Sequence, residues 1–276
     1  MSIRRNLHYE SGVSEAIGFL LMFTIVIMGI GLVTLYGLPM LLQQQSGADE
    51  KIMEKNMIVL QNDFKSVVYK TIPYKETSMK IASGSLYVDS AGTTGPTFSI
   101  GSNSGLNDYL LPSAPTTGVP TGDLKYQSSQ SQSEISLQNG AVVKRDLSAS
   151  GSVMLAQPRW FYDSYTQTLV INIITVNSSS VMSREGIGTV QMELGQSPDY
   201  PTDYVYLTST TTPALSSSTV YVTYTPDSGQ DYSTAWEDYF VNTMKMSCSG
   251  SPTVTCSHSG VAALVIKRTD IIIRSL

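Results

Sequence analysis

Between Phe19 and Leu42 the chain reads FLLMFTIVIMGIGLVTLYGLPMLL, 24 residues without one charged side chain. As an α-helix rising about 1.5 Å per residue this stretch is about 36 Å long, enough to cross a hydrocarbon core of about 30 Å with some tilt. A secretory signal peptide carries an apolar core of only about 7 to 15 residues before a small-residue cleavage site, and this run is too long to be one. The segment is therefore expected to stay on the mature protein as a membrane helix in contact with lipid.

Charge is sparse in the rest of the chain. Of 276 residues, 14% are Asp, Glu, Lys or Arg. Arg4 and Arg5 offset Glu10 and Glu15, so the net charge of −5 falls on residues 46 to 276. Binding nucleic acid requires a basic patch to neutralise phosphates; none is present, and no nucleic-acid partner is expected. Two His and two Cys leave almost nothing from which to build a metal centre or a His-dependent triad. No phosphate-cradling glycine loop, H-E-x-x-H or G-x-S-x-G occurs. The acidic pairs Asp199 with Asp203 and Asp227 with Asp231 lack a calcium loop of the D-x-D-x-D-G kind and read as solvated carboxylates. These absences lead to the expectation of a protein that is not an enzyme and uses no cofactor.

The positive-inside count is nearly even, because Lys51 and Lys55 follow the span as closely as Arg4 and Arg5 precede it. The body decides the orientation. It carries a glycosylation acceptor at Asn177-Ser178-Ser179, and Cys248 and Cys256 bracket a seven-residue SGSPTVT loop suited to a local disulfide. Both suit an oxidising exterior, which places the amino terminus in the cytoplasm and the C-terminal body outside the cell.

A short polar leader, MSIRRNLHYES, precedes Gly12-Val13-Ser14-Glu15-Ala16-Ile17-Gly18 and the apolar run. Here the chain resembles the archaeal type IV pilin-like proteins, since GVSEAIG is similar to the G-V-S-P-V-I-G start of such pilins, with Glu15 in place of proline. The body is also similar to pilin-like surface proteins of methanogenic archaea, through YGLPMLL, PYKETSM, ISLQNGAVV and PRWFYD. The resemblance implies removal of the leader by a prepilin peptidase, with Ser11, Gly12 and Val13 around the cleaved bond. Glu10 stands two places before the cut if cleavage follows Ser11, whereas aligning GVSEAIG puts the cut after Gly12. Glu15 is then the fourth or third mature residue. It serves either as an assembly contact to a neighbouring subunit's amino terminus or as a first-turn carboxylate favoured by the helix dipole.

After Pro39 and the polar stretch QQQSGADE, Met53, Met57, Leu60, Phe64 and Val67 recur at steps of four, three, four and three, which predicts an amphipathic helix. Gly37 and Pro39 mark a kink between the two helical halves. From Tyr74 onward alternation predicts strands, with Asn139-Gly140 as the turn of a hairpin. The Gly-, Pro-, Ser- and Thr-rich stretch 91–122 reads as a surface loop insertion. Trp236, Phe240 and Met244 share one side of a short late helix. The 16 tyrosines serve either as exposed contact surface or as ordinary strand residues.

The fold class expected is α+β, with a long N-terminal hydrophobic and amphipathic helix followed by an antiparallel, β-rich, sandwich-like ectodomain. Its parts are a leader at 1–12, a transmembrane or filament-core helix at 13–45, an amphipathic helix at 46–72 and the β-rich body at 73–276. The function expected is that of a structural pilin-like surface protein, whose helix associates with itself or with other pilin-like subunits through Gly18, Gly29 and Gly31. The alternative is a membrane-anchored extracellular binding domain that never polymerises.

Overall fold

The structure, a computed structural model, describes residues 10–91, 95–104, 108–109, 118–195, 203–207, 215 and 217–276; for 10–13, 203, 204 and 207 it describes only the backbone. The chain divides into two compact units, 1–48 and 49–276. Helix α1 spans Glu10–Leu32, a π-helical turn occupies Val33–Gly37, and α2 spans Leu38–Lys70. Pro39 explains the turn, because its ring lacks an N–H and collides with the preceding turn of a regular α-helix. Widening the register by one residue absorbs it, and Leu38 N–H donates to Val33 O five residues back. The expected kink therefore takes the form of a π turn, with no break at QQQSGADE. Helix α2 runs from residue 38 through the expected boundary at 46 and ends at Lys70, where Thr71 adopts a positive φ of 49°.

Fifteen strands follow among the described residues. The first seven are β1 (Tyr74–Asp89), β2 (Thr97–Gly101), β3 (Val119–Pro120), β4 (Asp123–Ser128), β5 (Ser133–Gln138), β6 (Ala141–Asp146) and β7 (Ser152–Ala156). Next come β8 (Phe161–Asp163), β9 (Thr168–Ser178), β10 (Ser183–Gly195), β11 (Asp203–Leu207) and β12 (Val220–Thr225). Helix α3 (Ser233–Asn242) precedes β13 (Ser247–Ser249), β14 (Val254–His258) and β15 (Ala263–Ser275). Ten strands form one sheet in the order β7-β6-β5-β4-β1-β10-β15-β9-β8, with β11 also on β15; a second sheet runs β13-β14-β12-β2-β3.

The larger sheet is a middle layer. Against one face pack Met53, Met57, Leu60, Phe64 and Val67 of α2, all fully buried, with Ile81, Leu86, Tyr126, Leu137, Val190 and Ile273 in the same cluster. Burying each such side chain contributes about 1.5 to 3 kcal/mol. Gln61 fixes the register of the helix, since its Nε2 donates to Gly140 O at 2.7 Å and to Gln157 O at 2.9 Å. Against the other face lie the second sheet and α3, around Phe98, Trp160, Tyr224, Trp236 and Phe240. Tyr224 and Tyr232 are buried in this layer and are not contact surface.

Three features depart from expectation. Stretch 91–122 is not a surface loop throughout: it supplies β2 and β3, and buries Phe98, Ile100, Tyr109 and Val119, while residues 92–94, 105–107 and 110–117 lie outside the described residues. Polar composition hid strands whose apolar residues are few but fully enclosed. The run from Tyr74 to Asp89 is one long strand, its alternation interrupted by a bulge between Ile81 and Ser85. At that bulge a Cβ on Gly84 would lie 2.3 Å from Gln127 O, so only glycine fits. Finally, β9 and β15 pair in parallel from Ala263 on Thr168 to Ile273 on Ser178, within an otherwise antiparallel sheet.

Candidate functional site

The first unit carries the most conspicuous surface. Every large apolar side chain from Ile17 to Leu42 is exposed, Phe19 to 72% and Tyr36 to 73%. The helix is long and apolar enough to cross a membrane. Its polar side chains are satisfied internally, as lipid requires: Thr24 donates its hydroxyl to Leu20 O at 2.8 Å, and Thr34 to Ile30 O at 2.9 Å.

The bonds after Ser11 and Gly12, and Val13 beside them, lie in the first turn of α1. Glu15 stands one turn further on and is exposed. A Cβ built on Gly18, Gly29 or Gly31 would meet nothing within 4 Å. Helical geometry separates these glycines. Gly18 and Gly29 are eleven residues apart and fall about 20° from each other, whereas Gly31 lies about 200° from Gly29 on the opposite face.

In the body, Cys248 and Cys256 are directly opposed on β13 and β14 and form a disulfide. Strand β13 is the edge of the smaller sheet, β14 lies between it and β12, and Cys256 is fully buried. Replacing both cysteines by serine is expected to cost about 2 to 3 kcal/mol, the loop-closure entropy of so short a ring. Chemical denaturation of the detergent-solubilised chain measures this; an unchanged midpoint would show that the hairpin holds without its bridge. Asn177 lies near the end of β9, half-buried, its Oδ1 accepting from Ser90 Oγ at 3.4 Å.

His258 is nearly buried, with Nδ1 3.0 Å from Ser259 O and its ring centred 4.0 Å from that of Tyr162. Among the described residues no group of three or more His, Cys, Asp or Glu is arranged to hold a metal. Asp227 does contribute to a charged cluster, and sequence reasoning had missed this cluster. Its centre is Lys125 on β4, whose side chain is fully buried. Nζ lies 2.5 Å from Asp89 Oδ2, 3.4 Å from Asp123 Oδ1 and 4.0 Å from Asp227 Oδ2, and it also donates to Gln230 Oε1.

Asp123 shares the face of Lys125 because residues two apart on a strand point the same way. Ser136, opposite Lys125 on β5, donates to Asp123 Oδ2 at 2.6 Å, while Asp123 Oδ1 receives no hydrogen bond among the described residues. Complete burial pushes the Asp123 carboxyl up to about 7, against the opposing pull of Lys125. Burial works to lower Lys125, but the carboxylates of Asp123 and Asp89 outweigh it and leave the ammonium raised. The pattern Asp-x-Lys on one strand was the available signal, though only burial distinguishes it from a surface pair.

A second buried network adjoins the first. Glu134 accepts from the Tyr232 hydroxyl at 2.6 Å and from Arg145 at 2.9 Å, and Arg145 also donates to Gly229 O at 2.8 Å. Together the two networks tie β4, β5 and β6 to the turn at residues 227–230 ahead of α3. A groove of about 480 Å³ opens beside Arg145, lined by Gln132, Lys144, Ser152 and Val153.

Residues 12–274 match the model of a family of unknown function, DUF7289. No curated protein and no solved structure matches the chain.

Proposed function

We propose, for a chain that belongs to this family of unknown function, the role of a pilin-like cell-surface subunit: anchored by its N-terminal helix, cut by a prepilin peptidase, and assembled with other such helices into a filament. The observation that carries this reading is the fully exposed apolar surface of residues 17–42, joined to a helix whose later turns bury their own apolar face against the β body. In assembly the first surface exchanges lipid for neighbouring helices. Close packing would supply the gain, because lipid tails are as apolar as leucine. Gly18 and Gly29, on one face, are the positions where two backbones approach most closely. The GVSEAIG start supports processing at this point. The disulfide supports an oxidising compartment for the body.

The experiment is mass spectrometry of the mature amino terminus in membrane and sheared-surface fractions. A start at Gly12 or Val13, recovered in the sheared fraction, is the expected result. Retention of Met1 or Ser2, confined to membranes, would leave an anchored ectodomain that does not polymerise.

A further inference from the structure

We propose that Lys125 and Gln230 are joined by an intramolecular isopeptide bond, Lys125 Nζ to Gln230 Cδ. This inference does not depend on the filament reading. Three observations carry it. A lysine with no exposed side-chain surface holds its amine against the side-chain amide of Gln230. A buried carboxylate, Asp123, stands 3.4 Å from that amine. One oxygen of this carboxylate lacks a hydrogen bond among the described residues, so it is free to take a proton.

The chemistry balances within the cluster. The ammonium, which Asp123 and Asp89 hold charged at rest, passes one proton to Asp123 in an uphill step, giving a neutral amine and a neutral acid whose formation burial assists. The amine attacks Gln230 Cδ, Nζ–Cδ forms, and Asp123 relays a proton to Nε2 as Cδ–Nε2 breaks. Ammonia leaves, the second amine proton returns to Asp123, and a secondary amide remains beside a protonated carboxyl. The Lys125–Asp123 pair carries no net charge before or after. Holding both groups in place replaces a bimolecular encounter, an advantage worth effective molarities of up to about 10⁵ M or more.

Gln230 is a better electrophile than the other neighbour, Asp89. A carboxylate paired with an ammonium resists nucleophilic attack, and the Asp89 side chain lies 2.5 Å from the amine and is a quarter exposed. Gln230 is half-buried beside the exposed Gly229, which gives ammonia a short exit. The bond would tie β4 of the larger sheet to the turn between β12 and α3. It would thus cross from one layer to the next and enclose far more chain than the disulfide, whose cysteines are separated by eight residues.

The test is mass spectrometry of the full chain purified from membranes in detergent and reduced. The expected mass is about 17 Da below that of the processed sequence, the loss of one ammonia, and a proteolytic digest yields a branched peptide joining Lys125 to Gln230. Mapping distinguishes this from ammonia lost at another residue. Lys125→Arg, which keeps the charge, and Gln230→Ala, at a half-buried position, each abolish the branched peptide; Asp123→Asn abolishes or greatly slows it. The unmodified mass in the wild-type chain, or a loss of about 18 Da mapped to Asp89, overturns the proposal whether or not any variant folds.

Discussion

A chain that begins at Asp49 is expected to leave the membrane fraction completely, whereas the full-length chain stays there after alkaline washing. Fourteen of the residues from Phe19 to Leu42 are Leu, Ile, Val or Phe, and each favours insertion by about 0.3 to 0.6 kcal/mol at the centre of a span. Together they supply about 4 to 8 kcal/mol, or about three to six powers of ten in partitioning. The body left behind exposes no comparable apolar face from its helix, because Met53, Met57, Leu60, Phe64 and Val67 are already covered by its own sheet. Asp49 and Glu50 would open the shortened helix with carboxylates in its first turn, where the helix dipole favours them. Ile30→Lys provides a graded control, weakening insertion by about 3 to 4 kcal/mol without removing the segment. Fractionation of the variants by centrifugation after carbonate extraction measures all three. A truncated body that remained in the washed membrane would reveal a second membrane-binding surface and remove the special role given to the helix.

The elements legible in the sequence are those whose partners are local. The spacing of Met53, Met57, Leu60, Phe64 and Val67 encodes a helical stripe, and all five are fully buried. Asn139 and Gly140 adopt positive φ values of 47° and 71°, which asparagine tolerates and glycine, without a Cβ, takes freely, and β5 pairs with β6 around them. Trp236 and Phe240 face the core as helical spacing requires, whereas Met244, also buried, lies past the end of α3 at Asn242. Elements set by distant contacts were not legible. The parallel pairing of β9 with β15 joins segments with most of the C-terminal body between them, and no local pattern specifies it. Strand β2 has only Phe98 and Ile100 as large apolar residues, in a stretch otherwise rich in Ser, Thr and Gly, and its identity comes from pairing with β12. The charged cluster was hidden for the same reason. Lys125 and Asp123 are neighbours on one strand, but Asp89, Asp227 and Gln230 reach them only through the folded sheet and the turn ahead of α3.

Replacing Trp236 by alanine is expected to destabilise the body by about 3 to 5 kcal/mol, a large share of the 5 to 15 kcal/mol typical of a domain. Trp236 is fully buried at the junction of α3 and the two sheets. Its ring lies 4.8 Å from Phe98, 5.6 Å from Tyr224 and from Phe240, and 5.9 Å from Trp160, centroid to centroid. Truncation to a methyl group opens a cavity among rigid rings that have little room to collapse. Trp236→Phe should cost distinctly less, although it too removes volume. The indole N–H finds no hydrogen-bond partner among the described residues, and an unmade buried hydrogen bond costs about 1 to 3 kcal/mol. Phenylalanine keeps most of the ring contacts and deletes that unpaired donor. Phe64→Ala provides the matching measurement across the larger sheet, where α2 supplies the cover, with a loss of similar size. Urea denaturation of the detergent-solubilised chain, followed by tryptophan fluorescence for Phe64→Ala and by circular dichroism for the Trp236 variants, gives the three values. If Trp236→Phe proved as costly as Trp236→Ala, the indole N–H would be contributing a bond, and the aromatic cluster would owe its stability to that bond more than to packing.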